Sequence, residues 1–288
     1  MRGITYWLAE HPAIVGFRWS HAQSWGSTWS FLISSLALCV VAAAALHLAL
    51  CVLLRHRRVP LGPVPALHSL VMALASGAIF LGTLLSALAE IRDSRWAWRG
   101  RSRNSPLQWL LCFPLGTRPS GRVFFWSYAF YLSRFLHLLR AFFAILRRAP
   151  NPLARVFSHC ALVAMSFLWL EFSQSFQVPA ILAATLAHAV VFGYRFWVGV
   201  GLPVAPSVPV VLGCQLALLC CNLVCHVGVL FFHFGKGGCN GIGAWVFNSV
   251  LNGALLWVFL VCYARKSDGR VVDRSGPSVS QDESKKER

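Results

Sequence analysis

Acidic side chains are scarce in this sequence: nine Asp and Glu stand against 26 Lys and Arg in 288 residues, a formal charge of +17. Such an imbalance suits nucleic acid, anionic lipid or phosphorylated substrates. Charge of either sign is also thin, at 12% of residues, and long stretches carry none. That excludes a soluble nucleic-acid-binding domain and leaves cationic loops beside anionic headgroups, or phosphate binding, as the uses of the positive charge. Metal-ligand spacing is lacking as well. Cys221, Cys225 and His226 lie four and five apart in an apolar stretch with no second half-site, so no metal is expected. The glycines around Gly235, Gly237, Gly238, Gly241 and Gly243 lack the spacing and strand context of a phosphate loop and read as a flexible turn. No cleavable signal peptide is expected, because residues 1–28 are mixed and aromatic and the first apolar run is too long for one.

What the chain does contain is apolar material: 57% of residues, with a mean hydropathy of +0.62. A soluble domain of this length could not bury that much, so lipid must be the main solvent. Runs at about 30–54, 64–89, 123–146, 156–176, 179–199, 207–233 and 241–264 are each long enough to cross a hydrocarbon layer of roughly 30 Å. An all-α integral membrane protein with seven transmembrane helices follows, its membrane domain covering 29–264 after an N-terminal segment, 1–28. The longest break, Arg92 to Arg122, holds Pro106, Pro114 and Pro119 with three glycines and reads as an irregular loop, its apolar centre Leu107–Leu115 lying along the interface. Most of the ten cysteines, such as Cys39, Cys51, Cys160, Cys214 and Cys262, sit in apolar runs and read as small hydrophobes.

Residues 265–288 are rich in Ser, Asp, Lys and Arg and read as a disordered basic tail. The tail ends Lys285-Lys286-Glu287-Arg288, a dilysine pattern that receptors read as an address for endoplasmic reticulum membrane proteins. It places the C-terminus in the cytosol and, with seven spans, residues 1–28 in the lumen. Arg55, Arg57, Arg58, Arg147, Arg148 and Arg155 then fall on the cytosolic side as the charge rule asks, whereas the seven arginines of the long loop fall on the other, a conflict that long polar loops tolerate and that an even number of helices would also relieve.

The third apolar run carries Arg134, His137 and Arg140 at three-residue steps, on about a third of the helix circumference. Cations at membrane depth are costly and face protein or water-filled space. They either snorkel toward the surface marked by Arg147 and Arg148 or form a mouth whose guanidinium forks grip phosphates. The run Phe125-Trp126-Ser127-Tyr128, Tyr131-Leu132-Ser133-Arg134-Phe135 and Phe142-Phe143 through Leu146-Arg147-Arg148, continued by Phe167-Leu168-Trp169-Leu170 and Ser173-Gln174-Ser175, resembles the ELO family of very-long-chain fatty acid elongases in its plant type (elongation of fatty acids protein 3-like).

That resemblance implies six of the seven helices arranged as a barrel around an acyl tunnel. It implies condensation of malonyl-CoA with a long-chain acyl-CoA, without a cofactor, giving a 3-ketoacyl-CoA two carbons longer. Membrane lipid and other elongation-cycle enzymes are the implied partners, and sphingolipid synthesis a destination for the product. The family's H-x-x-H-H box falls on Arg155-Val156-Phe157-Ser158-His159, where only the last histidine is kept and Ser158 occupies the acyl-acceptor slot. A second family histidine falls on His188, followed by Tyr194. The resemblance thus makes His159, His188 and Ser158 the catalytic candidates. It leaves Arg134, His137, Arg140, Arg147 and Tyr194 for the CoA phosphates or a polar tunnel wall, and Lys285 and Lys286 for targeting. The incomplete box also admits a non-catalytic relative that binds acyl-CoA or scaffolds the elongation complex. A seven-helix surface receptor is opposed by the terminal dilysine.

Overall fold

In the computed structural model, residues 3–53, 60–93, 105–202, 207–235 and 237–274 are described. A π-helical turn, Tyr6–Glu10, and a short helix α1, Pro12–Val15, precede the long elements. These are α2 (Trp29–Leu53), α3 (Val64–Asp93), the short α4 (Pro106–Leu111), α5 (Arg122–Leu146), α6 (Pro152–Glu171), α7 (Gln177–Gly199), α8 (Ser207–Gly235) and α9 (Ile242–Arg274). Among the described residues the only extended pairing is an isolated bridge between Arg18 and Ser120. Lipid explains this choice, since a spanning segment must satisfy its own backbone N–H and C=O groups and a helix does so internally.

Six helices are long and apolar enough to cross a membrane, in α2, α3, α5, α6, α7 and α8. The seventh apolar run lies in α9, where the described apolar stretch, Ile242–Val258, is shorter. Two compact units divide the chain, Met1–Ser249 and Val250–Arg288. The second is helical through Arg274, and residues 275–288, with Lys285 and Lys286, lie outside the described residues.

Within the first unit, small residues let the helices approach. The buried face of α3 carries Ser69, Ser76, Gly82, Thr83, Ser86 and Ala89, small residues of the kind that let membrane helices pack closely. At Gly82 the indole of Trp126 lies where a side chain would begin, so that any Cβ there would overlap the ring. That indole donates to the Leu8 carbonyl at 2.8 Å, fixing the N-terminal segment on the bundle. Helix α8 by contrast exposes Leu212, Leu216, Leu219, Leu223, Val227 and Phe231, an apolar face that only lipid or another membrane surface would cover.

The two ends of this unit differ in charge. At one end Arg122 pairs with Asp93 at 3.0 Å and Glu90 at 3.5 Å, and Arg92 with Glu10 and Asp93. Glu171 accepts from the Trp19 indole at 2.9 Å and meets His21 at 3.0 Å. All four acidic side chains that are described lie here. At the other end, formed by the start of α3 and the ends of α5 and α7, arginines gather.

The acidic end is also stapled. Cys112, just after α4, forms a disulfide with Cys239 in the turn between α8 and α9. The reading of the cysteines as small hydrophobes is therefore corrected for this pair, while Cys39 and Cys225 are free and buried. Spacing alone does not reveal a pairing 127 residues apart. Beside it, Asn240 donates through Nδ2 to the carbonyls of Phe172 and Ser173 and accepts from the Gly116 N–H. Gly241, at φ 72°, presses so close to the α6–α7 turn that a Cβ would stand 2.8 Å from Gln174 Cα. The glycine-rich segment is thus a turn, held rather than loose. The stretch after Pro106 also packs into the protein, with Gln108, Cys112 and Phe113 buried. Replacing Cys112 or Cys239 with serine is expected to cost about 2–4 kcal/mol of stability. Melting in detergent with and without reductant measures this, and reductant should move the wild type alone.

Candidate functional site

Helix α5 presents Arg134 and His137 inward, each 3% exposed, so the three-residue spacing does put both on the core-facing stripe. Helix α7 brings His188 to the same place and α6 brings His159. The ring of His137 lies 4.7 Å from that of His188 and 6.3 Å from that of His159, centroid to centroid. Three imidazoles from three helices therefore meet in one buried patch. His137 Nε2, His159 Nδ1 and Arg134 Nε have no hydrogen-bond partner among the described residues.

Arg134 defines the electrostatics of the patch. Its guanidinium sits over the Phe130 ring at 4.0 Å, and its Nη2 lies 3.4 Å from His188 Nδ1. The four described acidic side chains stand at the far end of the bundle, so among the described residues no carboxylate lies beside this buried cation. A charge at such depth calls for an anion or a strongly polar guest. The guanidinium carries only donors, so His188 Nδ1 must accept, and the neutral ring holds its proton on Nε2. The positive charge and the Nε2–H are both placed to meet negative charge on a guest.

Next to this patch opens a cavity of about 570 Å³ lined by Arg140, Arg147, Arg155, Arg195, His68 and Tyr194. Phe192, fully buried, contacts both the patch and two of the arginines that line the cavity. Its ring meets His137 at 5.2 Å and His188 at 6.0 Å. It meets the Arg140 guanidinium at 4.9 Å and that of Arg195 at 5.9 Å. His68 Nε2 lies 3.0 Å from the Leu136 carbonyl and its ring 5.4 Å from Phe143, tying the start of α3 to the cavity side of α5.

The sequence candidates thus sort into two groups. His137, His159, His188 and Arg134 converge, and Arg140, Arg147 and Tyr194 line the cavity. Ser158 stands apart: its hydroxyl donates to the Ala154 carbonyl of its own helix at 2.8 Å, and no described bond links it to a histidine. The sequence alone does not single out Arg155, Arg195, His68 and Phe192 as site residues. For α7 a signal exists, since His188, Phe192 and Arg195 lie at steps of four and three and so share a face.

Known proteins resemble this chain over most of its length. The model of the ELO (GNS1/SUR4) family matches residues 24–268. The chain is 59% identical over 266 residues to a protein called fatty acid elongase 3-like of Arabidopsis thaliana, covering 92% of each. It is 24% identical over 150 residues to a putative fatty acid elongase of Dictyostelium discoideum, 52% of this chain and 47% of that one. With fatty acid elongase sre1 of the same organism it shares 22% identity over 166 residues, 58% and 57% of the two chains. No solved structure matches the chain. On the family match and the full-length plant relative, this multi-pass membrane protein belongs to the ELO family of fatty acid elongases.

Proposed function

We propose that the chain is a very-long-chain 3-oxoacyl-CoA synthase, the condensing acyltransferase of fatty acid elongation, whose products supply sphingolipid synthesis. The observation that carries this reading is the meeting of His137, His159 and His188 with Arg134, joined through the Phe192 ring to two arginines of an arginine-lined cavity. Condensation needs groups that move an acyl unit and protons, donors for enolate charge, and a nucleophile kept from water. The imidazoles fit the first need, Arg134 and the His188 Nε2–H the second, and burial the third. Arg140, Arg147, Arg155 and Arg195 fit the phosphates of CoA, with Tyr194 beside them. No cofactor is called for, because carbon dioxide loss drives the carbon–carbon bond.

The reading extends to a seventh span in α9, a barrel around an acyl tunnel and residence in the endoplasmic reticulum membrane. The Cys112–Cys239 bridge suits an oxidising lumen at the acidic end. The arginine end, Lys285, Lys286 and the C-terminus would then face the cytosol, where CoA thioesters are made. The charge conflict in the long loop eases on this view, because Arg92 and Arg122 are paired with Glu10, Glu90 and Asp93.

The test is condensation in microsomes of a host lacking its own elongases, supplied with malonyl-CoA and long-chain acyl-CoA. Wild type should form the 3-ketoacyl-CoA. A wild type that binds acyl-CoA but forms none would instead support the non-catalytic scaffold, which the Arg155–His159 segment favours by keeping a single box histidine.

A further inference from the structure

Among the groups in the imidazole patch, one has the geometry of the acyl acceptor, and it is not the residue in the family box slot. Ser158 is committed to the Ala154 carbonyl at 2.8 Å and has no described contact with a base, which a serine nucleophile requires. His188 is capped at Nδ1 by Arg134 and carries its proton on Nε2, so neither nitrogen offers a free lone pair. His159 Nδ1 is unpartnered too, but its one described ring contact is with His137, whereas His137 lies between its two neighbours, nearest to His188, with its Nε2 buried and without a partner among the described residues. Its ring also touches Phe192, over which the cavity arginines Arg140 and Arg195 sit, and it lies one step of three residues, about 4.5 Å of helix rise, from Arg140. A thioester whose CoA occupies the cavity would present its carbonyl there.

We infer that His137 is the catalytic nucleophile of this chain: an imidazole on α5 takes the acyl unit in place of the histidines missing from α6. The proposal rests on the condensing-enzyme reading above. In the first step the His137 Nε2 lone pair forms a C–N bond to the acyl carbonyl and the C–S bond breaks. The CoA thiolate leaves toward the arginine cavity and takes its proton from solvent there, while the His188 Nε2–H stays on its ring and donates a hydrogen bond to the negative charge on the acyl oxygen. In the second step malonyl-CoA loses carbon dioxide and the electron pair of the broken C–C bond becomes an enolate facing Arg134. The enolate carbon attacks the acyl carbonyl, the new C–C bond forms, and the C–N pair returns to His137. One proton is consumed, and the products are a 3-ketoacyl-CoA, CoA and carbon dioxide.

The experiment incubates purified protein with long-chain acyl-CoA in the absence of malonyl-CoA, followed by peptide mass analysis, and assays condensation separately. Wild type should carry an acyl adduct on the Phe135–Arg140 segment. His137→Ala should lose it and lower condensation by at least about a thousandfold, with acyl-CoA binding kept within about threefold, since the cavity arginines are untouched. His137→Gln keeps a polar side chain of comparable reach without the nucleophile, so it should fold and still lose the adduct. An adduct found on His159, His188 or Ser158 overturns the proposal, as does condensation by His137→Ala within about threefold of wild type. Absence of condensation by wild type would instead strike the condensing-enzyme reading itself.

Discussion

His188→Ala is expected to lower the turnover of condensation by about a hundred- to a thousandfold, the usual loss on removing one preorganised donor to developing negative charge. The reason lies in the Arg134–His188 contact at 3.4 Å. It fixes the imidazole with Nε2–H outward, so the donor is in place before the charge appears and no reorganisation is required. His188→Gln returns an N–H at similar reach and should recover about tenfold of the loss, an amide being a weaker, less constrained donor. Arg134→Met should resemble His188→Ala in direction, because it frees the tautomer and removes the buried cation. The double variant should then lose far less than the product of the two single losses, since both act through one unit. Steady-state kinetics on protein in lipid nanodiscs, with KM for acyl-CoA unchanged, measures this. Additive losses would show that the two residues work independently.

How much of this is legible in the sequence depends on the kind of signal involved. The helices of the membrane domain are legible because lipid forces a one-dimensional code, a long apolar run for each crossing. Arg134, His137 and Arg140 stand out as misfits within such a run, and the α5 face they share follows from helical spacing. What the spacing does not show is which helices meet. The 4.7 Å approach of His137 to His188 joins residues 51 apart, and it depends on how α5 and α7 pack. Ser158 illustrates the complementary difficulty: its box slot is readable, but the bond to Ala154 depends on a rotamer that small hydroxyl side chains in helices choose for local reasons. Likewise Asn240 has the sequence context of a loop residue, although it bridges three connections at once.

The second large effect is expected in the cavity, and in KM rather than turnover. Arg140, Arg147, Arg155 and Arg195 line it, while the four described acidic side chains lie at the opposite end, so the arginines are available to an anion. A hydrogen bond to a charged group contributes about 1.5–3 kcal/mol. Losing one guanidinium to alanine should therefore raise KM for acyl-CoA by roughly ten- to a hundredfold. Turnover at saturation should hold, because phosphates bound equally in ground and transition states contribute uniform binding. Arg140→Glu with Arg195→Glu should do more, since it places carboxylates where phosphates sit and also strips two cations from the Phe192 ring. Salt supplies an independent axis. Raising ionic strength should weaken binding in wild type more steeply than in the double variant, in which fewer cations remain to be screened. A wild type whose KM ignores salt, or a double variant that loses turnover but keeps KM, would take the CoA phosphates out of this cavity. The imidazole patch would then have to receive its thioester by another route.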